Sequence, residues 1–435
     1  MRRARLLLAT VIAAGAVFPA AAQETGFGPS PALPPPKTSL IPTVNIARVD
    51  RWQAGEKPDA ARGFTVERFA DGLDHPRWLY VLPNGDVLVA ETRAPSSETT
   101  GVKDFVIKQV QKVVGAGATS PNRITLLRDA DGDGRAETRS VFLSELNSPF
   151  GMALVGNEFY VADTDAVLRF PYQPGQTRIE GDGIKLTDLP GGPINHHWTK
   201  SLVASADGAK LYVGVGSNSN VAENGLDAEK NRAAILEIDR VTGEAHVFAS
   251  GLRNPVGMDW QPQSKALWVS VNERDELGDD LVPDYMTAVQ PGAFYGWPFS
   301  YFGDHVDSRV DPQHPNMVAK AIVPDYALGA HTASLGLTFY DVDAFPEHYR
   351  GGAFIGQHGS WNRSVPAGYK VIFVPFADGR PSGAPEDILT GFLDSDGRAQ
   401  GRPVGVAVDG RGALLVADDV GNVIWRVTST ASPSN

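Results

Sequence analysis

The sequence contains no cysteine. The chain therefore forms no disulfide, no thiolate metal site, no thiol nucleophile and no covalent c-type haem, which requires Cys-x-x-Cys-His. It also lacks a Gly-x-Gly-x-x-Gly between a strand and a helix, and it has no Walker motif, so nicotinamide and nucleotide chemistry have no support. Any redox chemistry in this protein needs a cofactor that binds without a covalent bond.

Basic residues are fewer than acidic residues. There are 39 Lys and Arg against 51 Asp and Glu, a formal net charge of −12. So acidic a chain repels phosphate backbones, and we expect no nucleic-acid partner. After the first 22 residues no apolar run approaches the ~20 residues of a membrane-spanning helix, so we expect no stable membrane insertion.

The N-terminus has the pattern of a secretory signal. Three arginines within the first five residues precede an apolar run from Leu6 to Phe18, and Ala20–Ala22 form a small-residue cleavage site. We predict a signal peptide over residues 1–22 and a periplasmic or secreted protein; a membrane anchor is the alternative. Residues 23–59 are proline-rich and predicted to be extended, 60–430 form the folded domain, and 431–435 are a short tail.

A weak internal repeat organises residues 60–430. Each copy has a small or Pro-containing start, an apolar strand, a Gly/Asn/Asp turn and a second apolar strand that ends on a polar residue. The second strands of the six copies are 87–91, 159–163, 211–215, 267–271, 353–357 and 414–418. The copies are roughly 65 residues apart, about the length of one four-stranded sheet. Asn-Gly and Asp-Gly turns between short strands indicate antiparallel hairpins.

We therefore predict an all-β fold, a six-bladed β-propeller of four-stranded antiparallel sheets. Unrelated hairpins in two sandwiches are the alternative, but Pro-x-Gly recurs at Pro149–Gly151, Pro255–Gly257 and Pro403–Gly405, which favours one repeated unit. Two insertions interrupt the repeat, at 93–120, with an amphipathic helix predicted over 102–114, and at 277–333.

Propellers bind ligands at the mouth, the end of the ring formed by the loops around the inner strands. The residues beside those strands are cationic and amide-rich although the whole protein is acidic. They are His196-His197, Arg253-Asn254, Asn272-Glu273-Arg274-Asp275, Gln357-His358, Asn362-Arg363 and Arg402. Guanidinium and amide groups in this arrangement suit a planar polyanion.

Several ordered segments carry a resemblance to a known family. They are His197–Leu202, Gly251–Gly257, Asn272–Asp280, Tyr295–Pro298 and Gly401–Pro403. In this order they resemble the glucose/sorbosone dehydrogenases, the soluble quinoprotein propellers that use pyrroloquinoline quinone (PQQ) and calcium, and within them the sorbosone dehydrogenase-like branch. The resemblance covers most of residues 60–430.

The resemblance implies a role for each candidate residue. His197 aligns with the family's general base, with His196 as its orienting neighbour, and an imidazole suits proton abstraction from a hydroxyl. Arg253, Asn254 and Arg402 match positions that contact the cofactor, and His358 and Arg363 lie where the relatives have a further basic group. The sequence departs from some relatives at Val404, where they have a second arginine, and near His358, where they have a lysine.

The resemblance also implies a calcium ion that polarises the quinone. The family's loop matches residues 272–280, so the expected ligands are the carbonyls of Glu273 and Arg274, with Asp275. A second calcium candidate runs from Asp129 to Gly134 and begins like an EF-hand loop, but its twelfth position is Ser140 rather than Glu, which favours a polar hairpin turn.

Together these features predict a PQQ- and Ca²⁺-dependent dehydrogenase that oxidises an aldose, a sorbosone-like sugar or a polyol by hydride transfer to PQQ. Because there is no haem motif, a separate electron acceptor, a cytochrome or a quinone, must reoxidise the cofactor. Two alternatives remain. One is a calcium-dependent propeller lactonase or hydrolase, which needs carboxylates converging on one metal. The other is a propeller that only binds a protein or glycan.

Overall fold

The repeated strand pairs form antiparallel hairpins, each within a larger sheet. The computed structural model describes residues 26–39, 43–95 and 119–430. In these residues six sheets are arranged in a ring, and the predicted six-bladed β-propeller is confirmed. The signal peptide, the 102–114 helix and the C-terminal tail lie outside the described residues.

Each blade begins at the centre of the ring. The innermost strands of blades 1 to 6 are Pro76–Val81, Met152–Val155, Lys200–Ala204, Pro255–Trp260, Ser334–Phe339 and Pro403–Val408. The second strands are Val87–Glu91, Glu158–Ala162, Lys210–Val215, Leu267–Val271, Ala353–Gln357 and Leu414–Asp418. Four of the second strands are buried at every residue, because both their faces pack on neighbouring blades, and this explains their nearly continuous apolar sequences.

The outer strands complete the blades. The third strands are Arg123–Arg128, Ala166–Pro171, Ala234–Asp239, Pro283–Ala288, Lys370–Val374 and Val423–Ser429. The outermost strands are Thr138–Leu143, Ile184–Asp188, Ala245–Ser250, Tyr326–Ala330, Glu386–Thr390 and, in blade 6, Phe64–Ala70. Since Phe64–Ala70 precedes blade 1 in the chain but pairs with the last strand, from Phe64 opposite Ser429 to Ala70 opposite Ile424, it closes the ring.

The Pro-x-Gly elements have a structural explanation at the centre of the ring. The side chains at position x, Phe150, Val256 and Val404, converge with Leu335 of blade 5 into one apolar cluster. Each lies at the second residue of its strand or just before the strand. The glycine that follows lets the next innermost strand approach: a Cβ on Gly257 would lie 2.4 Å from the backbone nitrogen of Leu337. The repeat in the sequence therefore records how closely the inner strands pack.

The 277–333 segment is not wholly an insertion, because it contains the third and outermost strands of blade 4. Between them lie a small hairpin, Ser300–Tyr301 with His305–Val306, and the short helix Pro315–Val318. A second small hairpin pairs Phe376–Ala377 with Arg380–Pro381, and 3-10 turns span Leu226–Glu229 and Glu347–Tyr349. No helix within the described ranges is long and apolar enough to cross a membrane.

The segment before blade 1 runs along the outside of three blades. Phe27–Gly28 adds a strand to blade 4 and Asp59–Ala60 adds one to blade 5. Between them the Asn45 backbone nitrogen donates to the Trp361 carbonyl, and Trp52 packs into blade 6. The described residues of the proline-rich lead-in therefore pack on blades 4, 5 and 6.

Candidate functional site

The predicted catalytic and cofactor-binding residues and the predicted calcium ligands 273–275 lie at one end of the ring. The chain enters each innermost strand and leaves each second strand at this end, which we call the mouth. The mouth loops are 71–75, 92–95, 119–122, 144–151, 163–165, 189–199, 216–233, 251–254, 272–282, 331–333, 358–369, 391–402 and 419–422. Antiparallel connectivity thus brings residues that are far apart in sequence to a common face.

His197 lies before the innermost strand of blade 3, and Ser217 orients its ring. Its Nδ1 is 2.9 Å from the Ser217 carbonyl oxygen and 3.1 Å from the Ser217 Oγ. Because a carbonyl can only accept, Nδ1 carries the proton and Nε2 keeps its lone pair. Burial, and next the charge of Arg253, hold the pKa of His197 well below its ordinary value. His197 is therefore a neutral imidazole at neutral pH, the form that a general base requires.

Asn254 meets His197 above Gly216. A Cβ on Gly216 would lie 2.4 Å from the Asn254 Oδ1 and 2.4 Å from the His197 Cβ, so only glycine fits between them. The Asn254 Oδ1 is buried and has no hydrogen-bond partner among the described residues. The ring of His196 lies 4.7 Å from that of His197, edge to face.

Arg253 is held by the loop that was predicted to bind calcium. Its Nη1 donates to the Glu273 carbonyl at 2.7 Å, and its Nη2 lies 2.9 Å from the Asn220 Oδ1 and 3.3 Å from the Asp275 Oδ2. The other oxygen of Asp275 lies 3.2 Å from the His331 Nδ1. Arg253 is thus the cationic partner of the 272–282 loop.

These contacts bear on the predicted calcium ligands. Two of them, the Glu273 carbonyl and the Asp275 carboxylate, already accept hydrogen bonds from Arg253, and a dication there would lie against that guanidinium. The Arg274 side chain is fully buried and ion-paired with Glu273 and Asp307, so it supports the loop from behind. In this arrangement residues 273–275 do not fit a divalent cation.

Arg402 and His358 form a second group on blades 5 and 6. The Arg402 guanidinium lies 4.7 Å over the Tyr369 ring, and its Nε and Nη2 are buried with no hydrogen-bond partner in the described chain. The His358 Nε2 lies 3.0 Å from the Asp419 carboxylate. Burial lowers the pKa of His358, and Arg402 and Arg77 lower it further, against the opposing effect of Asp419. His358 is therefore predominantly neutral at neutral pH.

Arg363 is engaged at the edge of the mouth. Its Nη2 donates to the Asp280 carboxylate at 3.0 Å and its Nη1 lies 3.4 Å from the Ala330 carbonyl. It therefore ties the 358–369 loop to blade 4. Its role in cofactor binding stays a prediction.

Sequence reasoning missed two central residues of the second group, Asp419 and Arg77. The Asp419 carboxylate is buried and accepts from the Arg77 Nη1 at 2.8 Å, and its backbone carbonyl lies 3.0 Å from the His75 Nδ1. Burial alone would raise the pKa of Asp419, but His358, His75 and Arg77 hold it well below its usual range. The signal was their place in the repeat, since Arg77 follows the His75-Pro76 start of the first copy and Asp419 follows the last strand pair.

The structure thus places the predicted residues in two groups, one around His197, Asn254 and Arg253 and the other around Arg402 and His358. Trp198, which follows His197, links them because the Arg77 guanidinium lies 5.8 Å over its ring. Both groups are rich in cationic and amide donors and face the mouth.

The Asp129–Gly134 turn lies at the opposite end of the ring, between the third and outermost strands of blade 1. Carboxylate oxygens of Asp129, Asp131, Asp133 and Glu137 lie within 4.8 Å of one another. Arg411, from blade 6, donates to the Asp129 carboxylate at 3.1 Å. The predicted polar turn is present, and calcium binding there stays untested.

The fold and the mouth define a six-bladed propeller with a cationic, imidazole-containing ligand site. The chain belongs to the TrAA12-like family, whose model matches residues 58–292 and 309–430. The expected sorbosone dehydrogenase-like branch stays a prediction.

Three of the similar proteins illustrate the range of the matches. The chain is 34% identical to an uncharacterised protein of Borreliella burgdorferi over 241 residues, 55% of this chain and 62% of that one. It is 27% identical to the aldose sugar dehydrogenase YliI of Escherichia coli over 194 residues, 40% of this chain and 50% of that one. The holo PQQ domain of pyranose dehydrogenase from Coprinopsis cinerea has the same fold, with a TM-score of 0.69 and 21% identity over 88% of this chain and all of that domain.

Proposed function

We propose that this protein is a PQQ-dependent dehydrogenase that oxidises a hydroxyl group of a sugar or polyol. The proposal is supported by family membership and by two similar proteins, one named an aldose sugar dehydrogenase and the other a PQQ domain of a pyranose dehydrogenase. It is the residues of the mouth that connect this chemistry to the present chain.

The main structural support for the proposal is that two donors of Arg402 are buried and, within the described ranges, unpaired. Its Nε and Nη2 are buried without hydrogen-bond partners among the described residues, and a buried unpaired donor on a cation is costly. A ligand with fixed acceptor oxygens would satisfy both N–H groups. PQQ, which has three carboxylates on a rigid planar ring system, is such a ligand, so Arg402 fits it.

Each residue of the site would then have its own role. Arg402 and Asn254 would hold the cofactor, and His197 would take the hydroxyl proton on Nε2 while Ser217 keeps its ring in place. PQQ, when bound, supplies the quinone that accepts the hydride from the substrate carbon. Oxidation of the alcohol to a carbonyl is balanced in this way, because the proton goes to His197 and the electron pair leaves with the hydride.

No step is assigned to calcium, since residues 273–275 carry Arg253 where the ion was expected. The substrate we propose is an aldose or sorbosone-like sugar, in a periplasmic or secreted protein, with a separate cytochrome or quinone as electron acceptor. The absence of a Cys-x-x-Cys-His motif supports a separate acceptor.

The test is reconstitution of the purified protein. PQQ would be added with Ca²⁺ or with EDTA, and reduction of an artificial dye would be followed for a panel of aldoses, ketoses, polyols and lactones. We expect reduction only with PQQ and a sugar or polyol. Lactone hydrolysis without PQQ would instead establish a hydrolase. If neither reaction occurs, the protein would be a non-catalytic binding protein. A requirement for Ca²⁺ would show that the ion binds, either at residues 273–275 after displacement of Arg253 or at the Asp129–Gly134 turn.

A further inference from the structure

Arg77 is the second residue of the innermost strand of blade 1, and its guanidinium lies at the mouth with no role yet assigned to it. We propose that Arg77 is a second carboxylate-binding residue of the cofactor site, which supplies the positive charge that Val404 does not. This inference rests on the proposed function and extends it to a residue that no sequence motif indicated.

The position of Arg77 follows from the packing of neighbouring blades. Val404 is fully buried in the central apolar cluster, so blade 6 offers no charge there. The inner strands of blades 6 and 1 are in direct contact, since a Cβ on Gly405 would lie 2.7 Å from the Arg77 carbonyl oxygen. The inner strand of blade 6 therefore has no guanidinium at Val404, and the neighbouring inner strand of blade 1 has one at Arg77.

The hydrogen bonds of Arg77 leave one edge of its guanidinium free. The Nη1 donates to the Asp419 carboxylate at 2.8 Å, while the Nε is buried with no partner in the part of the chain that the structure describes. The side chain is 14% exposed, so a ligand in the mouth can reach it. Trp198 supports its face at 5.8 Å. Arg402 shows the same pattern of a ring-supported guanidinium with free donors.

The charges around Asp419 favour an anionic ligand over a simple ion pair. Asp419 already has His358 at 3.0 Å besides Arg77. The two imidazoles add little charge at neutral pH, because burial lowers the pKa of His75 to about 4 and also lowers that of His358. The guanidinium cations of Arg77 and Arg402 both lie close enough to His358 to lower its pKa. Among the described residues Arg77 is ion-paired with Asp419, whereas the Arg402 guanidinium has no carboxylate within ion-pair distance, so the pair of guanidiniums keeps an excess of positive charge. A carboxylate of PQQ would neutralise it.

The test measures binding to the protein prepared without cofactor. PQQ is titrated against tryptophan fluorescence for the wild type and for Arg77→Met, Arg77→Lys and Arg402→Met. The matched control is Arg128→Met, because Arg128 pairs with the buried Asp86 of the same blade at the end opposite the mouth. We expect Kd to rise roughly 10- to 100-fold in Arg77→Met, as for the loss of a charge-assisted hydrogen bond. Arg128→Met should bind like the wild type.

Arg77→Lys keeps the charge beside Asp419 and guards against a variant that does not fold. Since lysine lacks the planar fork, its affinity should fall between the wild type and Arg77→Met. PQQ trimethyl ester, which has no carboxylate charge, should bind the wild type and Arg77→Met equally. Arg77 would be only an ion-pair partner if both Arg77 variants bound PQQ like the wild type while Arg402→Met lost affinity. A wild type that does not bind PQQ would instead overturn the proposed function itself.

Discussion

The hydrogen-bond partner of an imidazole fixes its tautomer and influences its pKa. A carboxylate partner stabilises the imidazolium and raises its pKa, whereas the Ser217 carbonyl fixes the tautomer of His197 without adding a charge. Arg253 works in the opposite direction and keeps His197 neutral. The ring is therefore available as a proton acceptor over most of the neutral range, although each proton it accepts is held weakly.

This arrangement predicts a particular pH dependence. Because the pKa of His197 is lowered, its protonated and inactive form accumulates only below about pH 6.5, the ordinary value for histidine. We expect kcat/KM of the reconstituted enzyme to rise with pH through a value below 6.5 and then to level off. His197→Gln should lower kcat by about 10²- to 10⁴-fold and remove this acid limb.

His246→Gln, on an exposed outer strand of blade 3, is the control and should keep both the rate and the limb. An acid limb that survives in His197→Gln would assign the base to another residue.

At the scale of the blade, the Pro-x-Gly element combines two requirements. Its middle residue fills the central cluster and its glycine permits contact with the next strand. Blade 5 has the same geometry without proline, at Ser334-Leu335-Gly336. There the glycine faces backbone, since a Cβ on Gly336 would lie 2.2 Å from the Val404 carbonyl oxygen.

Gly336→Ala should therefore destabilise the whole ring. The obstacle is backbone rather than a flexible side chain, so the inner strands of blades 5 and 6 would have to separate. We expect a loss of about 3 kcal/mol or more in the free energy of unfolding, at or above the upper end of ordinary overpacking. Urea denaturation followed by tryptophan fluorescence measures it. Gly410→Ala, where the nearest atom would be 3.8 Å away, is the control, and equal stabilities would contradict the packing argument.

The same elements show what a sequence can predict. The second strands were found because burial on both faces makes them apolar throughout, and His197, Arg253 and Arg402 were found because they stand where the chain enters a blade. The third strand of blade 4, Pro283–Ala288, was missed because Asp284 and Thr287 interrupt any apolar run. Arg77 was missed because its partner Asp419 lies 342 positions away, across the closure of the ring. Repeats indicate the strands, but not which side chains meet where the two ends of the chain pair.

At the scale of the molecule, that closure joins the N-terminal segment to the mouth. Trp52 packs edge to face on Trp425, with ring centroids 5.4 Å apart, and on Phe392 at 5.6 Å. Its Nε1 donates to the buried Asp418 carboxylate at 2.8 Å, and the other oxygen of Asp418 accepts from the Arg402 backbone nitrogen at 2.8 Å. A residue before the first blade thus supports the loop that presents Arg402.

Replacement of Trp52 should therefore affect stability and ligand binding together. Trp52→Ala removes the ring packing and the donor to Asp418, and we expect a loss of about 3–5 kcal/mol in the free energy of unfolding with weaker PQQ binding. Trp52→Phe restores part of the packing but not the donor, so it should recover part of the stability.

Burial already raises the pKa of Asp418, and loss of the Trp52 donor should raise it further. A raised folded-state pKa means that ionisation of the carboxyl destabilises the folded protein. The deficit in unfolding free energy of Trp52→Phe relative to the wild type should therefore grow in urea denaturation as pH rises above about 4, the ordinary pKa of aspartate. A deficit that does not change with pH would mean that the hydrogen bond to Asp418 contributes nothing, and wild-type stability in Trp52→Ala would mean that the ring closes without the N-terminal segment.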